Sequence, residues 1–239
     1  MTQQTGARSR GDGSAGEARL ADRAYASIVE IINDDHLEIG DRLPAEARLA
    51  EMFGMSRTIV REALVRLASD GITEARRGAG SFVKSRPSDR LAHFVPLAGL
   101  SATLGTYEVR FVLESEAARL AAVRRTADEM ADIEEALEAL RTALLSSAPA
   151  HAEDMEFHRR IMLATANPSF ALAFDGLAAE TDRIMRAGVD ISRSRPREVI
   201  GAMMREHEMI VDAIRVQDGD GAALAMRWHL SEGRKRLMP

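Results

Sequence analysis

Residues 43–71 read LPAEARLAEMFGMSRTIVREALVRLASDG. The stretch predicts two short helices joined by a tight turn at Phe53-Gly54-Met55, with arginines along the second helix. Leu49, Met52 and Phe53 make an apolar face before the turn. Ile59, Ala63, Leu64 and Leu67 recur at three- and four-residue spacing after it, so each helix has a stripe to bury. Gly54 suits the sharp turn, and Ser56 is a good N-cap for the helix that follows. Ser56, Arg57, Thr58 and Arg61 then fall in the first two turns of that helix, the part that reaches base edges and phosphates when such a pair docks on DNA. Beyond Gly71, residues 72–83 (ITEARRGAGSFV) predict two strands around a glycine-containing basic turn, which is a wing. Glycines there let the backbone approach a groove, and Arg76 and Arg77 supply charge for phosphates. Two arginine-bearing helices alone can be a merely solvated pair. The wing supplies the right second element in the right place.

These residues resemble the N-terminal domain of the GntR family of bacterial transcription regulators. The match runs through Leu43-Pro44-Ala45-Glu46, Phe53-Gly54-Met55-Ser56-Arg57, Val60-Arg61-Glu62-Ala63-Leu64 and Gly78-Ala79-Gly80 with Phe82-Val83. The resemblance implies a winged helix-turn-helix in which Arg57, Arg61 and Gly80 keep the family's positions. The chain departs from the family pattern at Ala47, where the family commonly has arginine. Arg48 stands one residue later, turned by about 100° around the helix.

Charge is uneven along the chain. The whole protein is acidic, with a formal net charge of −5 over 239 residues. Between Ser56 and Arg86, however, Arg57, Arg61, Arg66, Arg76, Arg77, Lys84 and Arg86 outnumber Glu62, Asp70 and Glu74, so one basic surface sits on an acidic body. The length accommodates two ordinary domains, and 46% hydrophobic with only 4% aromatic residues points to alanine- and leucine-rich helical packing. With no cysteine, disulfides and thiolate metal sites are excluded. There is no apolar run long enough for a membrane span and no signal-peptide core, so the expectation is a cytoplasmic protein without a membrane partner. Residues 1–18, rich in Gly, Ser, Thr, Gln and Arg, are expected to be a disordered arm, with the DNA-binding domain at 19–85.

Pro87 in the stretch Lys84 to Asp89 marks a linker, and residues 86–99 are expected to hold it and a first short helix near 89–100. From residue 100 to 239 the pattern is helical, with candidates at 105–124, 127–146, 150–165, 168–188, 196–217 and 219–236 and no strand pattern or internal repeat. The expected architecture is therefore mainly α, with a small β-hairpin wing on the N-terminal domain and a C-terminal bundle of six to seven helices.

Polar chemistry is concentrated on three of these helices. Asp154 and His158 are four residues apart and share a face with Ile161 and Thr165. His207 is in step with Met203, Ile210 and Ile214, and His229 with Ala222, Met226 and Gly233. Three neutral imidazoles and one carboxylate suit Zn, Ni, Mn or Fe. Spacing alone leaves other readings open. Each histidine could be a core residue bonded to backbone, and Asp154 with His158 could be a surface pair that His151 joins.

A second resemblance covers residues from about 100 to 237, which are similar to the FCD ligand-binding domain of the FadR subfamily of GntR regulators. It is carried by Tyr107-Glu108-Val109-Arg110 with Glu114, Asp154-Met155-Glu156-Phe157-His158, Asn167-Pro168, Glu206-His207 with Ile210 to Ile214, and Met226-Arg227-Trp228-His229-Leu230. The resemblance implies that Asp154, His158, His207 and His229 hold one divalent transition metal, with Zn the first choice and Ni, Mn or Fe alternatives. It assigns no ligand role to His151. It also implies that Arg110 takes an oxygen of a small carboxylate effector bound beside the ion, against the alternative of an ion pair with Glu114.

The resulting expectation is a repressor that binds a palindromic double-stranded operator as a homodimer. The acid would shift the placement of the two DNA-binding domains. Two other classes stand beside it. One is a metal-dependent enzyme, against which the sequence offers no convincing general base, because Glu153, Glu156 and Glu206 neighbour ligands but should turn away from the metal face. The other is a DNA-binding regulator with a purely structural ion.

Overall fold

The computed structural model describes residues 11–87, 91, 95–96, 99–146 and 149–238, so most of the short helix expected near 89–100 lies outside the described residues. The chain divides into two compact units, residues 1–86 with 97–101, and residues 87–96 with 102–239.

The first unit opens with α1 (Gly11–Asp34), which buries Ala21, Ala24, Tyr25, Ile28, Val29 and Ile32. Residues 11–18 of the expected disordered arm are thus helical. The packed stripe from Ala21 onward nucleates the helix, which extends back through Ala15, Glu17 and Ala18 although Gly11, Gly13 and Gly16 are poor helix formers. The helix α2 (Glu46–Phe53) stops at Gly54, whose φ of 62° and ψ of 33° place it in the left-handed region that glycine enters most readily. In α3 (Arg57–Ser69) the Ser56 hydroxyl accepts from the Ile59 N–H at 3.3 Å, as a cap should. The buried faces are Leu49 with Ala50 on α2, and Val60, Ala63, Leu64 and Leu67 on α3. Met52, expected in the core, is 48% exposed, because on a two-turn helix Ala50 takes the inward place beside Leu49. The Tyr25 hydroxyl donates to Asp70 Oδ2 at 2.7 Å and pins α1 to the end of α3.

The wing is an antiparallel pair, β1 (Thr73–Arg76) and β2 (Gly80–Val83), in register Thr73↔Val83 to Arg76↔Gly80. Ile72 and Val83 are buried at its base, while the tip stays exposed.

The second unit is helical: α4 (Leu100–Arg124, from Ala102 onward), α5 (Ala127–Leu145), α6 (His151–Leu163), α7 (Pro168–Gly176), α8 (Ala178–Arg193), α9 (Arg197–Arg215) and α10 (Gly219–Leu237). Local signals place several starts. Thr126 and Glu129 form a reciprocal capping box, Asn167 caps a helix with Pro168 in its first turn, and Asp218 accepts from the Gly221 N–H at 2.9 Å. The helix expected over 168–188 is broken at Leu177, whose N–H turns back to the Phe174 carbonyl at 2.9 Å. Asp175-Gly176 is a weak helical stretch, and the bend lets Phe174 on one piece and Ile184 on the other both be buried. The core runs through Ile133, Leu140, Phe157, Ile161, Phe174, Ile210, Ile214 and Met226. α6 packs against α5, α7 and α8, while α10 packs against α9 and α8. Among the described residues, no helix is long and apolar enough to cross a membrane.

Candidate metal centre and DNA-reading surface

The inward stripes of three helices carry the polar residues to one point. On α6 the stripe is Asp154, Phe157, His158 and Ile161. On α9 it is Met203, His207, Ile210 and Ile214. On α10 it is Ala222, Met226 and His229. Asp154, His158, His207 and His229 are all buried, and one donor atom from each lies within 4.8 Å of the others. Ring centroids of His207 and His229 are 4.2 Å apart, and those of His158 and His229 are 5.2 Å apart. Phe157 walls the site edge-on to both His158 and His207.

Each imidazole is oriented from behind through Nδ1. That of His207 donates to the Met203 carbonyl at 2.8 Å, that of His229 donates to Glu206 Oε2 at 3.1 Å, and that of His158 lies 2.5 Å from Glu114 Oε2. The carboxylates are themselves gripped. Arg236 reaches both oxygens of Glu206 at 2.8 and 2.9 Å, and Arg110 pairs with Glu114. With Nδ1 carrying the proton, each Nε2 presents a lone pair, which is how metal-ligating histidines are held. His207 Nε2 lies 3.0 Å from Asp154 Oδ1, and His158 Nε2, 3.7 Å from the same oxygen, has no hydrogen-bond partner. Lone pairs converging on a carboxylate repel unless a proton or cation lies between them, so these donors fit a divalent ion.

The electrostatics agree. Burial pushes the Asp154 carboxyl up, but positive charge at the facing rings, first through a proton shared with His207 and then at His158 and His229, outweighs it and holds the group well below the usual carboxylate range, so cationic charge at this point favours the carboxylate. Burial likewise raises the Glu114 carboxyl, yet Arg110 and His158 bring it down to about 2. His229 is held well below its ordinary value, first by burial and then by His207 and His158, so the folded protein keeps it neutral and ready to ligate.

Beside the four donors is a cavity of about 30 Å³, room for about two waters, lined by Tyr107, Arg110, Asp154, Met203, His229 and Arg236 among others. Arg110 is the ion-pair partner of Glu114, and its side chain also borders the space next to Asp154. His151 stays outside the cluster, 3.8 Å from Asp182. Glu206 does turn off the metal face, but inward, where it supports His229. The sequence reading missed this role and that of Arg236, and only the position of Glu206 directly before His207 hinted at the first.

On the first unit, Ser56, Arg57, Thr58 and Arg61 are exposed at the start of α3. Arg61 is held by Glu46 of α2 at 2.8 Å, which fixes the guanidinium across the helix pair. Arg48 is exposed and pairs with Glu51 at 2.8 Å. In the wing, Arg76 lies over the Phe82 ring at 4.1 Å and bonds Glu74, while Arg77 is exposed in the turn. Gly80 has φ 107°, and a Cβ there would come 3.2 Å from the Arg42 guanidinium. Arg42, which the sequence reading had not singled out, thus lies against the wing.

Comparison with known proteins agrees with both halves. Residues 20–83 match the gntR family of bacterial regulatory proteins, and residues 106–232 match the FCD domain. The Uxu operon transcriptional regulator of Escherichia coli (strain K12) is 33% identical over 235 residues, 92% of this chain and 89% of that protein. The Uxu operon regulator of Haemophilus influenzae is 28% identical, covering 91% of this chain and 83% of its own length. The HTH-type transcriptional repressor NanR of Enterobacter sp. (strain 638) is 28% identical, with 89% and 83% covered. A chain with this winged helix-turn-helix and this helical domain belongs to the GntR family of bacterial regulatory proteins, in its FCD-bearing FadR subfamily, and is a DNA-binding transcription regulator rather than an enzyme.

Proposed function

We propose that this regulator is a cytoplasmic, homodimeric repressor of a palindromic operator, and that a small organic acid bound at a metal held by Asp154, His158, His207 and His229 sets its DNA affinity. The observation that carries the proposal is the convergence of four buried donors, three of them imidazoles: those of His207 and His229 are hydrogen-bonded through Nδ1, and that of His158 has Nδ1 against Glu114. An N₃O set of this kind suits Zn first, with Ni, Mn or Fe as alternatives. With these four residues holding it, a divalent ion would act there as a Lewis acid able to take a carboxylate oxygen. Around them the chain's own groups complete the site. Arg110 and Arg236 offer guanidinium donors at the cavity, while Ile184, Val189 and Leu230 give it an apolar wall. On the DNA side, Arg57, Thr58 and Arg61 read base edges with Ser56 holding the helix start, while Arg48, Arg76, Arg77 and the Gly80 backbone meet phosphates. Two relatives are known as operon regulators and a third as a repressor, which supports the repressor reading.

A purely structural ion is the second reading, favoured by the size of the cavity. About 30 Å³ admits no sugar acid unless Met185 and Met203, both flexible side chains lining it, move aside. Operator binding, measured with metal alone and with metal plus a panel of hydroxy acids, sugar acids, dicarboxylates and amino acids, separates the two. An acid that changes operator affinity only when metal is present supports effector control. A response to none of the panel leaves the structural ion.

A further inference from the structure

A second and larger cavity, about 540 Å³, lies on the far side of α9 from the metal centre. Met203 and His207 face the metal, whereas Gly201, Met204, Arg205 and Glu208 line this cavity at the spacing of the opposite stripe. Its lining is strongly basic. Arg141 comes from α5, Arg193 and Arg195 from the end of α8 and the turn after it, and Arg197 and Arg205 from α9, against the single acid Glu208.

Three of the five arginines are already engaged. Arg141 pairs with Glu208 at 2.8 Å, Arg193 donates to the Ala143 carbonyl at 2.9 Å, and Arg195 donates to the Arg236 carbonyl at 3.2 Å. Arg197 and Arg205 are exposed and have no hydrogen-bond or ion-pair partner among the described residues. Arg197 is also the first residue of α9, whose N-cap, Pro196, offers no side-chain acceptor, so the positive end of that helix lies at the same rim.

Like charges gathered around a concavity repel one another, and an anion relieves that repulsion. We infer that this cavity is a binding site for a phosphorylated small molecule, separate from the metal centre. Its volume is that of an ordinary ligand pocket. The unpartnered forks of Arg197 and Arg205, with the spare N–H groups of the engaged Arg141, Arg193 and Arg195 around them, suit a tetrahedral phosphate, whose oxygens point in several directions, better than a planar carboxylate. The assignment does not depend on what the metal centre binds.

The test is calorimetric titration of the full chain at fixed ionic strength with inorganic phosphate, ribose 5-phosphate and citrate. It uses wild type, the double variant Arg197→Ala/Arg205→Ala, and His158→Ala. Neither arginine packs into the core, so the double variant is expected to keep the wild-type melting temperature. Saturable binding of ribose 5-phosphate, weakened about tenfold or more in the double variant and retained in His158→Ala, supports the site. No saturable binding of either phosphate compound, or equal affinity in the double variant, overturns it. Citrate binding as tightly as ribose 5-phosphate overturns the assignment to phosphate.

Discussion

His207 Nε2 faces Asp154 Oδ1 at 3.0 Å, while the other nitrogen of the same ring donates to the Met203 carbonyl at 2.8 Å. A neutral imidazole has one N–H, and the carbonyl, which can only accept, claims it. The Asp154 carboxylate, held ionised, can only accept as well. The pair is satisfied when the ring takes a second proton or when a cation lies between the two groups. His158 Nε2 and His229 bring two more donors to the same place, and a metal satisfies all of them at once.

Outer groups should tune that metal without binding it. Glu206→Ala removes the acceptor behind His229 and leaves Arg236 buried without its carboxylate. Metal affinity should fall roughly 10- to 100-fold with all four ligands intact. Competition with a chromophoric chelator measures this, and unchanged affinity would mean that Glu206 only solvates Arg236.

On the DNA side, Arg61→Ala should weaken operator binding by roughly 5- to 150-fold while the fold persists, because the exposed Arg61–Glu46 pair adds little to stability. Arg76→Ala should weaken binding to all sequences alike and flatten its salt dependence. Fluorescence anisotropy with operator and scrambled DNA at several salt concentrations separates the two. Operator affinity unchanged in Arg61→Ala would remove α3 from base reading.

Much of the DNA-binding unit was legible because its signals are local: Gly54 ends one helix, Ser56 starts the next, and the glycines of residues 78–80 shape the wing. Met52 misled because two turns of helix do not fix which apolar residue points inward. The four candidate ligands were legible as residues on apolar stripes. Their support was not, since Glu206 behind His229 and Arg236 behind Glu206 depend on how α9 and α10 pair, which no spacing within either helix specifies. The break at Leu177 depends on packing in the same way.

Acid should loosen the metal-free protein in two stages. His229 is neutral when folded but takes a proton below its ordinary value of 6.5 when unfolded, so the stability it contributes is complete above that pH and is lost as pH falls. Glu114, brought from 4.5 to about 2, contributes stability that is full above pH 4.5 and is lost between there and about 2. Melting temperature against pH should therefore decline below about 6.5 and again below about 4.5. A flat profile from pH 7 to 5 would contradict the neutral, buried His229.

Arg110 needs a paired substitution. Arg110→Ala alone strands a buried Glu114 charge and should cost about 3 to 5 kcal/mol of stability. Arg110→Met with Glu114→Gln removes both charges and keeps an acceptor for His158 Nδ1. That protein should hold metal and bind operator normally, yet need about tenfold more acid to respond. An unchanged dose response would confine Arg110 to its ion pair.

The most direct measurement is the metal content of the full-length protein, purified without chelators or affinity metals, by elemental analysis of wild type and His158→Ala. Wild type should carry about one divalent transition metal per chain and the variant none, with a lower melting temperature that added metal does not restore. Wild-type protein that carries no metal, and is not stabilised by Zn, Ni, Mn or Fe, would contradict this expectation.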